Sequence, residues 1–400
     1  MIPANRNRDR RCAILPERCA GTHRAAADGA RRRRGGGIQL DAIRVGFIGV
    51  GRISDLHAIA YLDNPHATIV ALCDREPARA EERRRTWGVA DAVVTDDYRE
   101  LLASDRVDLV EILLPHHLHV EAALAAFAAG KAVSLQKPMA TTLAGADRLV
   151  AAADAAGVPF RVFENFIFYP PVMRAKELVD AGAIGTPLAI RIKSNPGSRK
   201  FAWNVPAGAQ AWRQDRAQAG GGPLVFDDGH HKFALARHFM GPPEEVHAWI
   251  GSTVGEGGYL FDAPAMVSFR FAGERVGNLE VVYSPGLEIN TAHYAQDDRV
   301  EITGTEGVIL INRGHGQLGD VVPLQHYRDG RWTDHRDLEI GWERSFVHAT
   351  RHAVEALRAG SQPLLSGRDA REVLRFALAA EASARRGRSV TVSEHDEADA

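Results

Sequence analysis

Two polar segments, far apart in the chain, carry the residue types that proton transfer requires. Lys137 follows an apolar run at positions 132–135, and a glycine-rich stretch at 220–231 contains Asp227 and His231. Residues four positions apart share one face of a helix, and histidine is the usual proton carrier near pH 7. We therefore predict that His231 removes a hydroxyl proton and that the Asp227 carboxylate orients the imidazole ring. Lys137, at a strand end, is expected to lie where a parallel sheet binds its ligands.

The same glycine-rich stretch offers an alternative reading as a metal site. Asp227, Asp228, His230 and His231 are all residue types that bind zinc. However, no thiolate lies near them, and ligands crowded this closely in sequence are not typical of a zinc site. The sequence therefore favours proton transfer, and we predict no metal.

A glycine pattern typical of dinucleotide binding follows the first apolar run. Gly49 permits a tight turn, and Gly51 lets the backbone approach a pyrophosphate. Arg52 and Ile53 come next, where a helix N-terminus would offer free N–H groups to the same phosphates. The third position of the pattern is Ser54 instead of glycine, so the fingerprint is imperfect.

Asp74 ends the next apolar run, close to the spacing expected of the carboxylate that holds the adenosine ribose. A carboxylate there repels a 2′-phosphate, which favours NAD over NADP. Arg75 is the next residue and could bind such a phosphate, so NADP is not excluded.

The elements that must position these residues are typical of the α/β class. Short apolar runs alternate with helical stretches up to about residue 164, which predicts a Rossmann dinucleotide-binding domain over 41–164. Beyond residue 189 consecutive strands follow one another, so we predict a C-terminal α/β domain over 165–400 with a large, mainly antiparallel open sheet. The strand candidates are 45–50, 68–73, 109–114, 132–135, 160–163, 189–193, 246–251, 266–271, 277–282, 300–303 and 308–311, and two helices near 345–358 and 369–386 close the chain.

Residues 1–40 differ from the rest in being rich in arginine and poor in clustered apolar side chains. Such a segment buries too little surface to offset its ordering entropy, and we predict a disordered tail. The twin arginines at 10–11 precede an apolar stretch too short for an export signal. An arginine-rich arm could also bind nucleic acid, but we favour neither role.

Composition limits the remaining classes. The chain has 400 residues and a net charge of −2, which favours neither nucleic acid nor an anionic membrane as a partner. No apolar run has the ~20 residues that cross a bilayer. Three cysteines are too few for a disulfide framework, so we predict a cytoplasmic protein.

The order of these motifs resembles that of the Gfo/Idh/MocA family, the group of glucose–fructose oxidoreductase and inositol dehydrogenase. The resemblance covers about 43–390. The matching segments are Gly49-Val50-Gly51, Asp74, the stretch Leu114–His119, Gln136-Lys137-Pro138, Asp227-x-Gly229-x-His231, 304–307 and 363–367. The family implies a Rossmann domain and an α/β domain whose open sheet often forms oligomer contacts, so we expect a homodimer or homotetramer.

The resemblance also implies residue roles. Lys137 would contact the reacting hydroxyl, with His231 and Asp227 as the proton-transfer pair, and either Lys137 or His231 would be the immediate base. Pro115, His119 and Gln136 would lie by the nicotinamide. Gln136 departs from the family's usual Glu, and Ala234 stands where many members carry Asp. Residues in regions that line the substrate pocket of similar proteins are Asn165, Tyr169, Trp203, Trp212 and Arg213, to which we add Asp228.

We therefore expect an NAD-dependent oxidoreductase that takes hydride from a hydroxyl carbon of a sugar, polyol or cyclitol. Three alternatives stay open: an NAD-assisted glycosidase, a sugar epimerase or oxidoreductase that recycles its cofactor internally, and a sugar sensor that binds NAD without turnover.

Overall fold

A computed structural model describes residues 32–34, 37–39, 42–198, 202–203, 207–316 and 318–393. The predicted tail, 1–40, lies mostly outside these residues. Within it, β1 (Arg32–Arg34) and β2 (Gly37–Gln39) pair as a short antiparallel hairpin, where the sequence predicts no regular structure.

Six parallel strands form the first sheet, in the order β5-β4-β3-β6-β7-β8. Their near-continuous apolar sequence suits a sheet that helices cover on both faces. The order reverses between β3 and β6, which is where sheets of this class bind their ligands. The strands are β3 (Ile43–Ile48), β4 (Ala67–Cys73), β5 (Val93–Thr95), β6 (Leu109–Ile112), β7 (Ala132–Gln136) and β8 (Phe160–Phe163), with helices α1 (Ser54–Leu62), α2 (Pro77–Thr86), α3 (Tyr98–Ala103), α4 (His119–Ala128) and α5 (Leu143–Ala156).

Nine strands form the second sheet, in the order β18-β17-β16-β15-β9-β14-β13-β10-β19. All neighbours are antiparallel except β9 and β14, so the predicted large, mainly antiparallel sheet is confirmed. The strands are β9 (Pro187–Pro196), β10 (Pro243–Ile250), β13 (Ala265–Phe271), β14 (Arg275–Val281), β15 (Gln296–Gly304), β16 (Gly307–Ile311), β17 (Leu324–Arg328), β18 (Arg331–His335) and β19 (Val390–Thr391), and a separate small pair is β11 (Thr253–Val254) with β12 (Leu260–Phe261).

Helices cover one face of the second sheet. The side chains of Val246, Val267 and Leu279 on that face are fully buried. On the opposite face of the same strands Trp249 and Val276 are exposed. The helices of this part are α6 (Pro170–Asp180), α7 (Ala207–Ala211), α8 (Arg216–Ala219), α9 (Gly229–Met240), α10 (Glu343–Arg358) and α11 (Gly367–Arg386).

The two C-terminal helices return to the first sheet. α10 packs against α1, and its Val354 belongs to the apolar core on one side of that sheet. The Phe346 ring, also on α10, lies 5.3 Å from that of Phe163 at the end of β8. α11 contacts α5 and β8 as well as α9 and β10, so it packs on both sheets. In the part of the chain that the structure describes, no helix has the length and apolar character needed to cross a membrane.

Candidate active site

The glycine turn after β3 has the shape that a dinucleotide requires. Gly49 adopts φ +89°, and a Cβ there would lie 2.5 Å from the carbonyl oxygen of Leu113. A Cβ on Gly51 would meet no atom within 4 Å, so this side of the turn is open. Ser54 starts α1 and donates its hydroxyl hydrogen to the Gly51 carbonyl, 2.6 Å away. The turn and the helix N-terminus together can hold a pyrophosphate.

Asp74, directly after β4, lies against this turn. Its Oδ2 accepts the backbone N–H of Val50 at 3.1 Å. Its Oδ1 accepts from the Glu76 backbone and from the Arg79 guanidinium, both at 3.0 Å. Arg75 points away, with a side chain that is 90% exposed. The cation nearest to the predicted ribose ligand is therefore Arg79, which sequence reasoning missed, and not Arg75.

Lys137 lies at the carboxyl end of β7, where the sequence predicts it. Its Nζ donates to both the carbonyl oxygen and Oδ1 of Asp227, at 2.7 Å each. Its backbone N–H donates to Oε1 of Gln136 at 2.8 Å. Lys137 comes from the first sheet and Asp227 from the second domain, so the predicted convergence of the two segments is present.

Asp227 is the centre of a charged cluster. Besides Lys137, it accepts a hydrogen bond from Nε of Arg213 at 3.0 Å and lies 3.5 Å from Nε2 of His116. Burial alone would raise the pKa of Asp227, but the neighbouring Lys137, His116 and Arg213 side chains outweigh burial and hold that pKa well below its usual range. Asp227 is thus a carboxylate that fixes cations.

His231 pairs with a different carboxylate from the one predicted. Its Nδ1 lies 2.7 Å from both oxygens of Glu164, and the Phe166 ring stacks on the imidazole at 4.2 Å. The predicted Asp227–His231 pair was wrong. Asp227 lies in a π-helical turn, Pro223–Asp228, and the regular helix begins only at Gly229, so α-helical spacing does not apply between them.

Glu164 is the residue that sequence reasoning missed at this site. It directly follows β8, whose carboxyl end lies at the same edge of the sheet as that of β7. The strand-end argument used for Lys137 would have found it. Burial raises the pKa of Glu164 to about 7, although the Phe166 N–H and the Lys137 charge oppose the shift. Burial, with the charges of Lys137 and Lys232, lowers the pKa of His231 well below its usual range.

Aromatic and basic side chains surround this cluster. The Trp212 ring packs edge-on against His116 at 4.6 Å, and the Arg213 guanidinium lies over Trp212 at 4.3 Å. The Arg52 guanidinium, from the glycine turn, lies 4.6 Å over the ring of Trp203 from the second domain. These contacts place both predicted pocket residues, Trp212 and Arg213, beside Asp227, and they join the predicted cofactor residue Arg52 to the second domain.

Asp228 belongs to a second buried charge network. It accepts from Nζ of Lys232 and from Nε2 of Gln296, each at 2.7 Å. Gln296 also donates to Asp298, which contacts His315 at 3.1 Å. With a side chain only 18% exposed, Asp228 is held rigidly beside the site.

Two residues predicted to bind substrate, Asn165 and Tyr169, instead form hydrogen bonds in the protein interior. The Asn165 amide donates to Oγ of Ser345, and the Tyr169 hydroxyl donates to the Ile340 carbonyl. Both side chains are buried, so the structure does not support the prediction that they bind substrate.

Pro115 and His119, two of the three residues predicted to lie by the nicotinamide, belong to the segment that joins β6 to α4, and His119 is the first residue of α4. His119 lies 2.8 Å from the carbonyl oxygens of both Leu114 and Pro138, and its neutral ring can donate to only one of them. Burial lowers the pKa of His119 to about 4. Pro115 begins the turn 116–118, and Ile53 lies in the glycine turn, partly buried against the core. Their contact with a cofactor stays a prediction.

Within the chain segments that the structure describes, no group of three or more His, Cys, Asp or Glu side chains is arranged to hold a metal ion.

A doubly wound sheet with a glycine turn, and a Lys–Asp cluster next to a His–Glu pair at its carboxyl edge, define a dinucleotide-dependent oxidoreductase. Models of two domains match the chain: an oxidoreductase family with an NAD-binding Rossmann fold over residues 43–164, and the GFO/IDH/MocA C-terminal domain over 172–310. The chain belongs to the Gfo/Idh/MocA family of NAD-binding oxidoreductases.

Known relatives agree with this assignment. D-apiose dehydrogenase of Paraburkholderia graminis is 29% identical over 86% of this chain and 88% of its own length. Myo-inositol 2-dehydrogenase of Thermotoga maritima is 28% identical over 88% of this chain and 99% of its own. Among solved structures, levoglucosan dehydrogenase in complex with NADH and levoglucosan has a TM-score of 0.75 and 25% identity, covering 88% of this chain and 100% of that one.

Proposed function

We propose that this protein is an NAD-dependent dehydrogenase that oxidises a CH–OH group of a sugar, polyol or cyclitol. The observation that carries the proposal is the meeting of Lys137, Asp227 and the Glu164–His231 pair at the edge of the sheet where ligands bind. Such an arrangement suits the removal of a hydride and a proton from one alcohol.

The residues suited to hold the cofactor are Gly49, Gly51 and Arg52 for the pyrophosphate and Asp74 for the adenosine ribose. The bound nicotinamide supplies the acceptor for the hydride, with its electron pair, that leaves the carbinol carbon. Asp74 favours NAD because its charge repels a 2′-phosphate, while Arg79 beside it weakens that repulsion, so NADP is not excluded.

The hydroxyl proton goes to His231. Its Nδ1–H is directed at Glu164, so Nε2 carries the lone pair that can accept a proton. Lys137 donates two of its hydrogens to Asp227 and has a third to offer to the substrate oxygen. Lys137 thus stabilises negative charge on that oxygen as the proton leaves, and Asp227 holds the ammonium in place.

The substrate class rests on the relatives and on the pocket. The relatives named above act on apiose, myo-inositol and levoglucosan, which are all polyhydroxylated rings or sugars. Asp228 and Arg213 provide a fixed acceptor and a fixed donor for substrate hydroxyls beside the reacting centre. A glycosidase, an internally recycling enzyme or a sensor has no specific support in this geometry or among these relatives.

The test is the variant Lys137→Ala, assayed with NAD and a panel of sugars and cyclitols. We expect turnover to fall by about 100-fold or more, since the lysine acts directly on the reacting oxygen. NAD affinity, measured by fluorescence titration, should stay close to that of the wild type. Lys176→Ala, on the exposed side of α6, is the matched control. Turnover in Lys137→Ala close to that of the wild type contradicts the proposal.

We further propose that copies of this chain associate through the open face of the second sheet, and that the protein works in the cytoplasm. The exposed apolar side chains of Trp249 and Val276 on that face support the first proposal. The second rests on the low cysteine content.

A further inference from the structure

A hydrogen-bonded path runs from Lys137 into the interior of the first domain. The Lys137 N–H donates to Oε1 of Gln136. On its other side the Gln136 amide nitrogen lies 3.1 Å from Nε2 of His57, on α1. Nδ1 of His57 lies 3.0 Å from Oε1 of Glu111, in the middle of β6, off the axis of a well-aligned hydrogen bond. His57 and Glu111 are both fully buried.

The Glu111 carboxylate is held by three further groups. The Tyr61 hydroxyl donates to Oε2 at 2.5 Å, and the Ser134 hydroxyl to Oε1 at 3.0 Å. A guanidinium nitrogen of Arg161 lies 3.8 Å away. Burial alone would raise the pKa of Glu111, but its polar contacts with His57, Arg161 and Tyr61 together outweigh burial and hold that pKa below its usual value. The path therefore ends on a fixed carboxylate.

The Lys137 end fixes the orientation of the Gln136 amide. A backbone N–H can only donate, so the amide oxygen must face Lys137 and the NH₂ group must face His57. Nε2 of His57 is then an acceptor, and the ring proton lies on Nδ1, towards the Glu111 carboxylate. The Gln136 contact therefore opposes a proton on Nε2, and the Glu111 carboxylate suits a proton on Nδ1, so this geometry favours the uncharged, Nδ1-protonated ring of His57.

We propose that Gln136 is a positioning residue, which ties the uncharged, Nδ1-protonated form of His57 to the backbone of Lys137. Through Gln136, Glu111 and His57 then fix the position of Lys137 relative to the substrate hydroxyl that it contacts. The inference rests on the proposed role of Lys137 and adds to it residues that do not touch the substrate.

The glutamine side chain can make both contacts only when the His57 ring is uncharged. A second proton on His57 would place Nε2–H against the amide NH₂, two donors facing each other. Turning the amide over would oppose its NH₂ to the Lys137 N–H, so one contact is lost in either orientation. A carboxylate at position 136 has acceptor oxygens on both sides and would accept from both groups.

Among the described residues, no other charged or titratable group contacts the His57 ring and could stabilise a second proton on it. The titratable groups near the ring are Glu111 on β6, with Tyr61 and Arg161 behind it. From β8 and α10 the contacts on the ring are the uncharged rings of Phe163 and Phe346, at 4.1 and 5.2 Å.

The first test reads the His57 ring directly, by ¹⁵N NMR of the full-length protein. The His57 signals are assigned by their loss in His57→Phe. We expect the Nδ1–H tautomer in the wild type at neutral pH and a doubly protonated ring in Gln136→Glu. An Nε2–H tautomer in the wild type, or an unchanged ring in Gln136→Glu, would overturn the inference.

The second test separates turnover from binding. We expect His57→Phe, which keeps an aromatic ring in place, to lower kcat about tenfold or more by displacing Lys137, with KM for NAD unchanged. His57→Gln should recover much of kcat because its amide oxygen can take the place of Nε2. His352→Phe, which replaces a half-buried histidine on α10, is the control and should behave like the wild type.

Equal kcat in His57→Phe and the wild type, or no recovery in His57→Gln, contradicts the inference. Failure of the proposed function is recognised separately, because it would appear as turnover in Lys137→Ala. The NMR result does not depend on turnover.

Discussion

The pairing of His231 with Glu164 predicts how activity depends on pH. The proposed base needs an Nε2 lone pair, which exists while Glu164 is ionised and accepts Nδ1–H. Burial raises the pKa of Glu164 to about 7, so the pair gains a proton as pH falls through that value. A protonated Glu164 favours the Nε2–H tautomer, and kcat/KM should therefore fall on the acid side with a midpoint near 7.

The variant Glu164→Gln removes the titrating carboxylate. We expect kcat to fall about 10- to 100-fold, because the charge that stabilises the protonated imidazole is lost. The acid limb should also leave the region of pH 7. The measurement is kcat/KM against pH, with the exposed Glu177→Gln on α6 as the control. An acid limb that stays near pH 7 in Glu164→Gln would show that another group titrates.

Asp74 predicts the cofactor preference. In Asp74→Ala we expect KM for NAD to rise about tenfold, with less discrimination against NADP, because a charge-assisted contact to the ribose and the repulsion of a 2′-phosphate both disappear. Asp74→Asn keeps an oxygen that can accept the Val50 N–H, so it removes the charge without removing the hydrogen bond that holds the glycine turn. The exposed Asp91→Ala is the control. An unchanged NAD/NADP ratio would place the ribose elsewhere.

For single residues, the sequence predicts which side chains lie at the site, but not which of them form hydrogen bonds with one another. Lys137 and Asp227 could be found because strand ends and a glycine-rich stretch mark them. The partner of His231 could not be found from spacing, since a π-helical turn intervenes. Asn165 and Tyr169 look like pocket residues in the sequence, yet their polar groups bond to Ser345 and Ile340 in the interior.

Among the elements, the π-helical turn that carries Asp227 depends on a carboxylate from another segment. Asp262, just after β12, accepts the N–H groups of Leu224 and Val225 at 2.7 and 2.8 Å. Glu381 on α11 accepts the Gly222 N–H at 3.2 Å. A Cβ on Gly222 would lie 2.1 Å from Oδ2 of Asp262, so only glycine permits this approach.

Removing the Asp262 carboxylate should therefore destabilise the protein. In Asp262→Ala two backbone N–H groups lose their acceptor, and we expect the free energy of unfolding to fall by about 2 to 3 kcal/mol. Asp262→Asn, which keeps one oxygen, should lose less. Thermal unfolding monitored by circular dichroism measures both. A Tm for Asp262→Ala equal to that of the wild type would mean that these N–H groups find other acceptors.

The elements of the first sheet are largely predictable, because buried parallel strands read as apolar runs. The sequence misses β5, which has three residues, and also β17 and β18, whose mostly polar side chains give no apolar pattern. Strand order in the second sheet could not be predicted, since β9 pairs with strands about a hundred positions later in the chain.

For the whole molecule, the exposed face of the second sheet predicts where copies of the chain associate. Trp249 is 62% exposed there, and we expect Trp249→Glu to weaken self-association because it places a charge in an apolar contact. Sedimentation velocity over a range of concentrations measures the effect. Leu364→Glu, an exposed apolar position off this sheet, is the control. An identical mass distribution for Trp249→Glu and the wild type would exclude Trp249 from the interface.

The return of α10 and α11 to the first sheet has a consequence for synthesis. During translation the Rossmann half emerges first, but the apolar surface of α1 and α5 stays uncovered until the last helices leave the ribosome. We therefore expect the nascent chain to expose apolar surface until these helices are made, and to depend on chaperones that bind such surface. A product released early, before residue 343, would lack both covering helices and be prone to aggregate.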